Sequence, residues 1–318
     1  MDLSIIIVNW NSADFVSKCL TSVFANTQGV SFEVIVVDSG SFDGCGEMVA
    51  AGFPQVRFVQ SEKNVGFSRA NNLGVERASG EYLLFLNPDT EVIGPAIQVL
   101  VEQARKLPRA GAVGCRLLNR DGSLQTSCVQ SFPTIANQVL DSDFLRQAFP
   151  RASLWGMEPL YAASQEPLEA EAIEGACVLM KRDVFKRIGQ FSTDYFMYAE
   201  DIDLCYKTQQ HGYTNYYVPQ ASIMHFGDGA VSRAKSNFAV VMASESVWRF
   251  LRKYRGSAYA FVFRQALFVG ALGRLSLLSG RKLVSALAGS PADSTASWMK
   301  WKAIARWSAG LERWILDY

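Results

Sequence analysis

Four short runs near the N-terminus, each closed by polar residues, constrain this chain more than any other feature. Leu3-Ser4-Ile5-Ile6-Ile7-Val8 gives way to Asn9 and Asn11, and Glu33-Val34-Ile35-Val36-Val37 ends at Asp38. Residues 56–60 form a third run, and Tyr82-Leu83-Leu84-Phe85-Leu86 ends at Asn87-Pro88-Asp89. The short, continuous, apolar runs among them read as strands buried on both faces, and 56–60 as a third strand. Between them Val16, Cys19, Leu20, Val23 and Phe24 recur at helical spacing behind Ser12, a plausible N-cap, and residues 67–78 form a second helical stretch. Strand and helix in alternation predict an α/β fold with a mostly parallel, Rossmann-like sheet flanked by helices and right-handed crossovers. Ligands on such a sheet bind beyond the carboxyl ends of the strands. Asn9, Asn11, Asp38 and Asp89 fall at that edge.

Beyond about residue 110 the pattern is mixed. Residues 112–118 and 176–181 read as strands, Asn119-Arg120-Asp121-Gly122 as a hairpin turn, and 134–170 as irregular. Asp183 is the expected cap of a short helix, a further helix is expected from Glu200 to His211, and two strands at 214–218 and 221–225. From about 236 the pattern is helical to residue 318.

Composition excludes some classes. At 49% hydrophobic the 318 residues suffice for a packed core, and a net charge of +1 gives no global field for nucleic acid. The six cysteines (Cys19, Cys45, Cys115, Cys128, Cys177 and Cys205) form no CxxC pair and sit mostly in apolar runs, so they read as free, buried thiols of a reducing cytosol. The N-terminus lacks a basic region ahead of its apolar run and reads as a strand, not a signal peptide. The longest apolar tract, 258–278, is interrupted by Arg264 and Arg274 and makes a poor membrane span; it reads instead as shallowly embedded in a membrane or buried in a dimer.

Four groups of residues carry chemistry. Asp38 and Asp89 each end a buried strand. Such carboxylates either cap the next helix or hold Mg²⁺ or Mn²⁺ through oxygen, and Asp38 could instead accept from a pyrimidine or ribose. Asn64-Val65-Gly66-Phe67-Ser68-Arg69 sets a glycine at a helix start, where backbone N–H groups approach an anion and Arg69 adds charge, although no phosphate-loop pattern is present. Glu200, Asp201 and Asp203 open a helix, either as a solvated first turn that complements its dipole or as the seat of a general base. Crowding between Glu200 and Asp201 would raise one pKa. His225 ends a strand before Phe226-Gly227-Asp228-Gly229, as a structural residue or a metal ligand, with Arg233 and Lys235 beyond it in reach of a diphosphate. His211 precedes Gly212 at a helix C-terminus, where the dipole explains it.

In order, the segments Ser4–Asn11, Val36–Gly44, Asn64–Phe67, Leu86–Thr90, Gly175–Cys177 and Phe196–Leu204 resemble the family-2 glycosyltransferases, nearest to their bacterial rhamnosyltransferase-like branch, over roughly residues 3–255. The resemblance implies a GT-A fold over residues 1–235, with a nucleotide-binding half (1–110) and an acceptor half (111–235), followed by a helical extension, 236–318. It implies that Asn9 and Asp38 help hold the nucleoside and that Gly175 and Ala176 line the sugar site; Val8, Asn11, Asn64, Gly66, Arg69, Asn87, Arg233 and Lys235 are further candidates to face the donor, and Tyr198 to line the acceptor site. Asp89 matches the metal ligand, His225 the position that completes the metal site, Asp201 the catalytic base, and Glu200 a residue that holds the acceptor. Asn87-Pro88-Asp89 stands where many relatives carry Asp-x-Asp, and Ser39 stands where relatives usually show Asn.

The expected activity is a Mg²⁺- or Mn²⁺-dependent, inverting transfer of one sugar, with dTDP-rhamnose as the first choice of donor. The expected acceptor is a glycan or lipid-linked glycan of a cell-surface polysaccharide. Gln-x-x-Arg-Trp, a mark of processive members, is absent. The alternatives are another hexose from a UDP- or GDP-sugar, a silent nucleotide-sugar-binding scaffold, or a nucleotidyltransferase; the last would need a glycine-rich, basic N-terminal loop that residues 8–14 lack. In residues 298–318, Ile304, Trp307, Leu311, Trp314 and Ile315 form one helical stripe opposite Lys302, Arg306 and Arg313. That stripe reads either as an interfacial membrane helix or as a surface docked on the protein or on a second subunit. The expected location is cytoplasmic, peripheral on the inner membrane.

Overall fold

The computed structural model describes residues 1–227, 236–287 and 295–318. The chain forms two compact units, one of residues Met1–Phe132, Gln147–Phe196 and Glu200–Arg233, the other of Pro133–Arg146, Met197–Ala199 and Ala234–Tyr318.

The strands are β1 (Leu3–Asn9), β2 (Phe32–Asp38), β3 (Arg57–Gln60), β4 (Tyr82–Leu86), β5 (Thr90–Ile93), β6 (Ala110–Leu118), β7 (Val129–Gln130), β8 (Leu168–Ala170), β9 (Ala172–Ile173), β10 (Cys177–Lys181) and β11 (Thr214–His225). The helices are α1 (Ala13–Asn26), α2 (Cys45–Gly52), α3 (Phe67–Glu76), α4 (Ala96–Lys106), α5 (Ile135–Val139), α6 (Asp143–Ala148), α7 (Arg182–Arg187), α8 (Glu200–Gln210), α9 (Ser236–Arg255), α10 (Ser257–Leu287) and α11 (Thr295–Ser308). One sheet runs β3-β2-β1-β4-β10-β6-β11-β5, with β8 beside β11, and β7 pairs β9 apart from it. The first four strands are parallel, and Asn9 stands beside Asp38 in the register. β10 runs antiparallel to β4 and β6, β6 and β11 are parallel, and β5 returns antiparallel on β11. The apolar runs are the core: Ile5, Ile6, Ile7, Ile35, Val36, Leu83, Leu84 and Phe85 are fully buried. All six cysteines are free and buried.

Several local expectations are corrected. Ser12 stands at the N-cap of α1 but makes no side-chain cap bond. Its hydroxyl donates to Asn9 Oδ1, and the helix start is held instead by Asp43, whose Oδ2 accepts from the Ala13 N–H. Asp183 lies in the first turn of α7 rather than at its cap. The two strands expected at 214–218 and 221–225 are one, because a register shift between Val218 and Ser222 carries the chain past Pro219 without breaking the ladder. The expectations missed α4 and β5.

In the second unit α11 stops at Ser308, Gly310 turns left-handed at φ 76°, and a short 3₁₀ turn follows at Arg313–Asp317. One continuous stripe through Leu311 therefore does not form, and Leu311 is 59% exposed. Trp301, Ile304 and Trp307 are buried, and Trp307 Nε1 donates to Glu245 Oε2 at 3.0 Å. These residues of the tail pack within their own unit. The tract expected to be a poor span lies in a helix, Ser257–Lys282, that is long and apolar enough to cross a membrane.

Candidate active site

Parallel pairing of β1 and β2 brings Asn9 and Asp38 together at the carboxyl edge. Asn9 Nδ2 lies 2.7 Å from Asp38 Oδ2 and 3.0 Å from both Ser41 Oγ and Asp43 Oδ1. Asp38 also accepts from the Ser41 N–H, the Ser41 hydroxyl and Gln60 Nε2. Burial raises its carboxyl, but the hydrogen bonds from Ser41, Asn9 and Gln60 outweigh it and hold the group below the usual value. Asp38, Asp43 and Cys45 present ligand atoms within 4.8 Å of one another, a group able to hold a metal. Two facts weigh against metal binding there. Hydrogen bonds within the protein already use the Asp38 oxygens, and burial pushes the Cys45 thiol up to about 12, far from the thiolate a metal needs.

Asn64 and Gly66 form the next wall. Asn64 Oδ1 accepts from the Gly66 N–H at 3.0 Å and the Ser39 hydroxyl at 3.2 Å, so Ser39 ties the β2 exit to this loop. Gly66 is left-handed at φ 80°, and a Cβ there would stand 2.5 Å from the Phe196 carbonyl oxygen. Val8 is buried in the sheet, Asn11 is left-handed at φ 52°, and Arg69 is exposed on α3. Arg233 and Lys235 lie outside the described residues.

The Asp89–His225 pair arises from the return of β5 along β11, which sets His225 opposite Thr90 and so beside Asp89. His225 Nε2 is 3.5 Å from Asp89 Oδ1, and both residues are buried. Gln125 clasps the histidine: its Nε2 donates to the His225 carbonyl at 2.7 Å, so its Oε1, 2.9 Å from Nδ1, must accept the Nδ1 proton. In the neutral ring Nε2 then carries a lone pair aimed at a carboxylate. Two acceptors at this distance need a positive charge between them, a proton or a cation. Burial lowers the imidazole pKa, while the bond to Asp89 and the charges of Asp89 and Glu174 raise it further, so the net shift is upward. One carboxylate and one oriented imidazole fit a divalent metal.

On α8 the three carboxylates divide. Asp203 faces inward, accepting from Ser192 Oγ and the Tyr195 hydroxyl and pairing with Lys207 at 3.3 Å, so it is structural. Asp201 is half-buried; Oδ2 accepts the Gly175 N–H at 2.8 Å and Oδ1 the Ile202 N–H at 2.8 Å. Burial raises its carboxyl to about 6 against those two bonds, with help from the charge of Glu174. Glu200 is buried with no hydrogen-bond partner at Oε2, and burial together with the Asp201 charge raises it to about 8. Tyr198 and Ala199, left-handed at φ 70° and 60°, precede α8, and Tyr198 falls in the second unit.

One loop joins the two halves of the site. Glu174 Oε1 stands 4.0 Å from His225 Nδ1, the next residue, Gly175, holds Asp201, and Ala176 accepts the Asn87 N–H at 2.9 Å. Asp89, His225 and Asp201 are therefore linked through 174–176, all inside the first unit. Sequence reasoning missed Gln125, Glu174 and Asp43. Glu174 had a signal in its place directly before Gly175-Ala176, and Asp43 in its place within Val36–Gly44. His211, by contrast, meets the helix carbonyl of Lys207 at 2.8 Å, the dipole role expected of it.

Residues 4–189 match the family model described as glycosyl transferase family 2. Over 240 residues, 70% of this chain and 75% of the relative, the chain is 28% identical to the N-acetylglucosaminyl-diphospho-decaprenol L-rhamnosyltransferase of Mycobacterium tuberculosis. A mannosyltransferase of Pyrobaculum calidifontis, solved with GDP-Man and Mn²⁺, superposes at TM-score 0.61 and 19% identity over 98% of this chain and 87% of its own. GalNAc-T7, solved with UDP, GalNAc and Mn²⁺, superposes at TM-score 0.58 and 16% identity over 79% of this chain; the match spans about half of that protein, 48%.

Proposed function

The chain belongs to glycosyl transferase family 2, and from that membership we propose that it transfers a single sugar, with inversion, to a hydroxyl of a glycan or lipid-linked glycan. The first choice of donor is dTDP-rhamnose, a reading supported by the rhamnosyltransferase relative. A UDP- or GDP-hexose is the second, supported by the nucleotides bound in the two structural neighbours. The cytoplasmic face of a membrane is the proposed place of work.

The observation that carries the reading is the loop 174–176, which links Asp201 to the His225–Asp89 pair. Asp201 is the proposed base: its oxygens already accept two N–H bonds, which orient the carboxylate, and its pKa lies near neutrality, where it can take a proton from the acceptor hydroxyl. Glu200, protonated at neutral pH by its burial, donates to and positions the acceptor. Asn9 and Asp38, with the Asn64–Gly66 wall, hold the nucleoside. Asp89 and His225 would hold the metal, and this mixed oxygen and nitrogen pair favours Mn²⁺ over Mg²⁺. When bound, the metal supplies charge to offset that of the departing nucleoside diphosphate.

The test is nucleotide release from dTDP-rhamnose, UDP-sugars and GDP-sugars with Mn²⁺ and candidate acceptors. Asp201→Asn is expected to lower kcat on the order of a thousandfold while nucleotide binding stays near normal. An Asp201→Asn protein of unaltered kcat removes the base assignment, and a chain that turns over none of these donors removes the activity.

A further inference from the structure

The second unit carries a surface that the transfer site does not use. From Ser257 to Lys282, α10 has a mean hydropathy of 1.4 over its most apolar window, of which only 17% is buried. Length and composition alone do not separate a helix that crosses a membrane from one that lies along it. The distribution of charge does.

The two arginines inside this apolar tract are half-buried, and both are bonded within the protein. Arg264 lies over the Trp307 ring, 5.0 Å from its centroid, and donates to the carbonyls of Trp307 and Ser308. Arg274 lies over Trp301 at 4.1 Å and donates to the carbonyls of Val139 and Asp141. Ala260, Phe263, Leu267 and Ala271 make the buried stripe between them. What remains outside is Phe261, Val262, Val269, Leu272 and Leu277, and no exposed residue from Ser257 to Gly280 bears a charge. Cations stand at both ends of this face: Arg252, Lys253 and Arg255 before it, Arg281 and Lys282 after it, all exposed. From residue 246 to residue 292 there is no Asp or Glu, against eight Lys and Arg.

We propose that the exposed face of α10 lies in the interfacial region of an anionic lipid bilayer, its apolar side chains in the acyl boundary and its terminal cations among the headgroups. The inner face is tied to α11 and to residues 139–141, so the helix lies along the surface rather than crossing it. An uncharged apolar stripe between two basic clusters is the pattern of an interfacial anchor. A second copy of this chain would bring the same cations against one another, with no acid between residues 246 and 292 to pair them. This surface stands on the second unit alone, so vesicle binding and sugar transfer fail or succeed in separate assays.

The test is co-sedimentation of the full chain with vesicles of pure phosphatidylcholine and with 30 mol% phosphatidylglycerol added. Anionic lipid is expected to strengthen binding roughly a thousandfold, through about four surface cations, and high salt to release the protein. Leu272→Glu and Val269→Gln, both at exposed positions, are each expected to weaken binding at least about tenfold while thermal melting stays unchanged. Arg281→Ser with Lys282→Ser should reduce only the anionic component. Equal affinity for both vesicle types, resistance to high salt and carbonate, or a dimer dissociated by Leu272→Glu in a protein that binds no vesicles would each overturn the proposal.

Discussion

At Asp201 two effects oppose each other. Burial lifts the carboxyl to about 6, while the N–H groups of Gly175 and Ile202 stabilise its charged form, and Glu174 adds a repulsion that keeps it high. A folded-state pKa raised above the unfolded one gives stability that is full below about pH 4 and lost as pH rises through about 6. For the proposed role of Asp201 as base the sign is reversed, because only the ionised group accepts a proton. We expect kcat/KM to rise through about pH 6 and Glu174→Gln to move that limb to lower pH, as a pH–rate profile at saturating metal would record. An unmoved limb would separate Glu174 from the base. Asn9, Asp38, Asp89, Asp201 and His225 were legible because each ends a strand or opens a helix that the apolar pattern already marks. Gln125 was not, since its partner lies 100 positions away and nothing local distinguishes it.

At the scale of elements, the start of α3 shows how tightly a wall of the site is built. The Phe67 N–H donates to the Phe196 carbonyl, and that same oxygen occupies the space a Gly66 side chain would need. Gly66→Ala therefore combines a left-handed backbone with a collision. Its expected cost is about 2 kcal/mol of stability, together with a raised KM for donor. Chemical denaturation and donor kinetics check both, and a variant as stable as the parent would show that the loop can shift freely. β1, β2 and β4 were readable because burial leaves an uninterrupted apolar run, whereas β3 is a half-exposed edge strand. β5 and α4 were not, since four residues give too little alternation and α4 begins after Pro95 with no polar cap. β11 was read as two strands because Pro219 cannot donate to the ladder, and only the three-dimensional register shows the bulge that absorbs it.

Over the whole molecule, charge is segregated. Residues 234–318 hold thirteen Lys and Arg against four Asp and Glu, whereas the chain as a whole carries 31 against 30. Near-neutrality thus hid two units of opposite character, and only the packing of the second unit reveals which tryptophans its core claims. Trp307 is 1% exposed, bonded to Glu245 and covered by Arg264, so Trp307→Ala is expected to cost the second unit about 3–5 kcal/mol. A calorimetric scan in which its transition does not fall would place the core elsewhere.

The first unit carries a different constraint in β11, a strand of twelve residues laddered to β6 along most of its length and to β5 at its end. Side chains on a strand face alternate sides, so the aim of the His225 ring is a matter of parity. One residue gained or lost between Ser222 and His225 would leave every atom of the imidazole present and turn it to the wrong side of the sheet. If His225 holds the metal as proposed, spacing in that stretch matters as much as the identity of the histidine, and a shift by an odd number of positions would abolish metal binding in a sequence in which every motif still reads correctly.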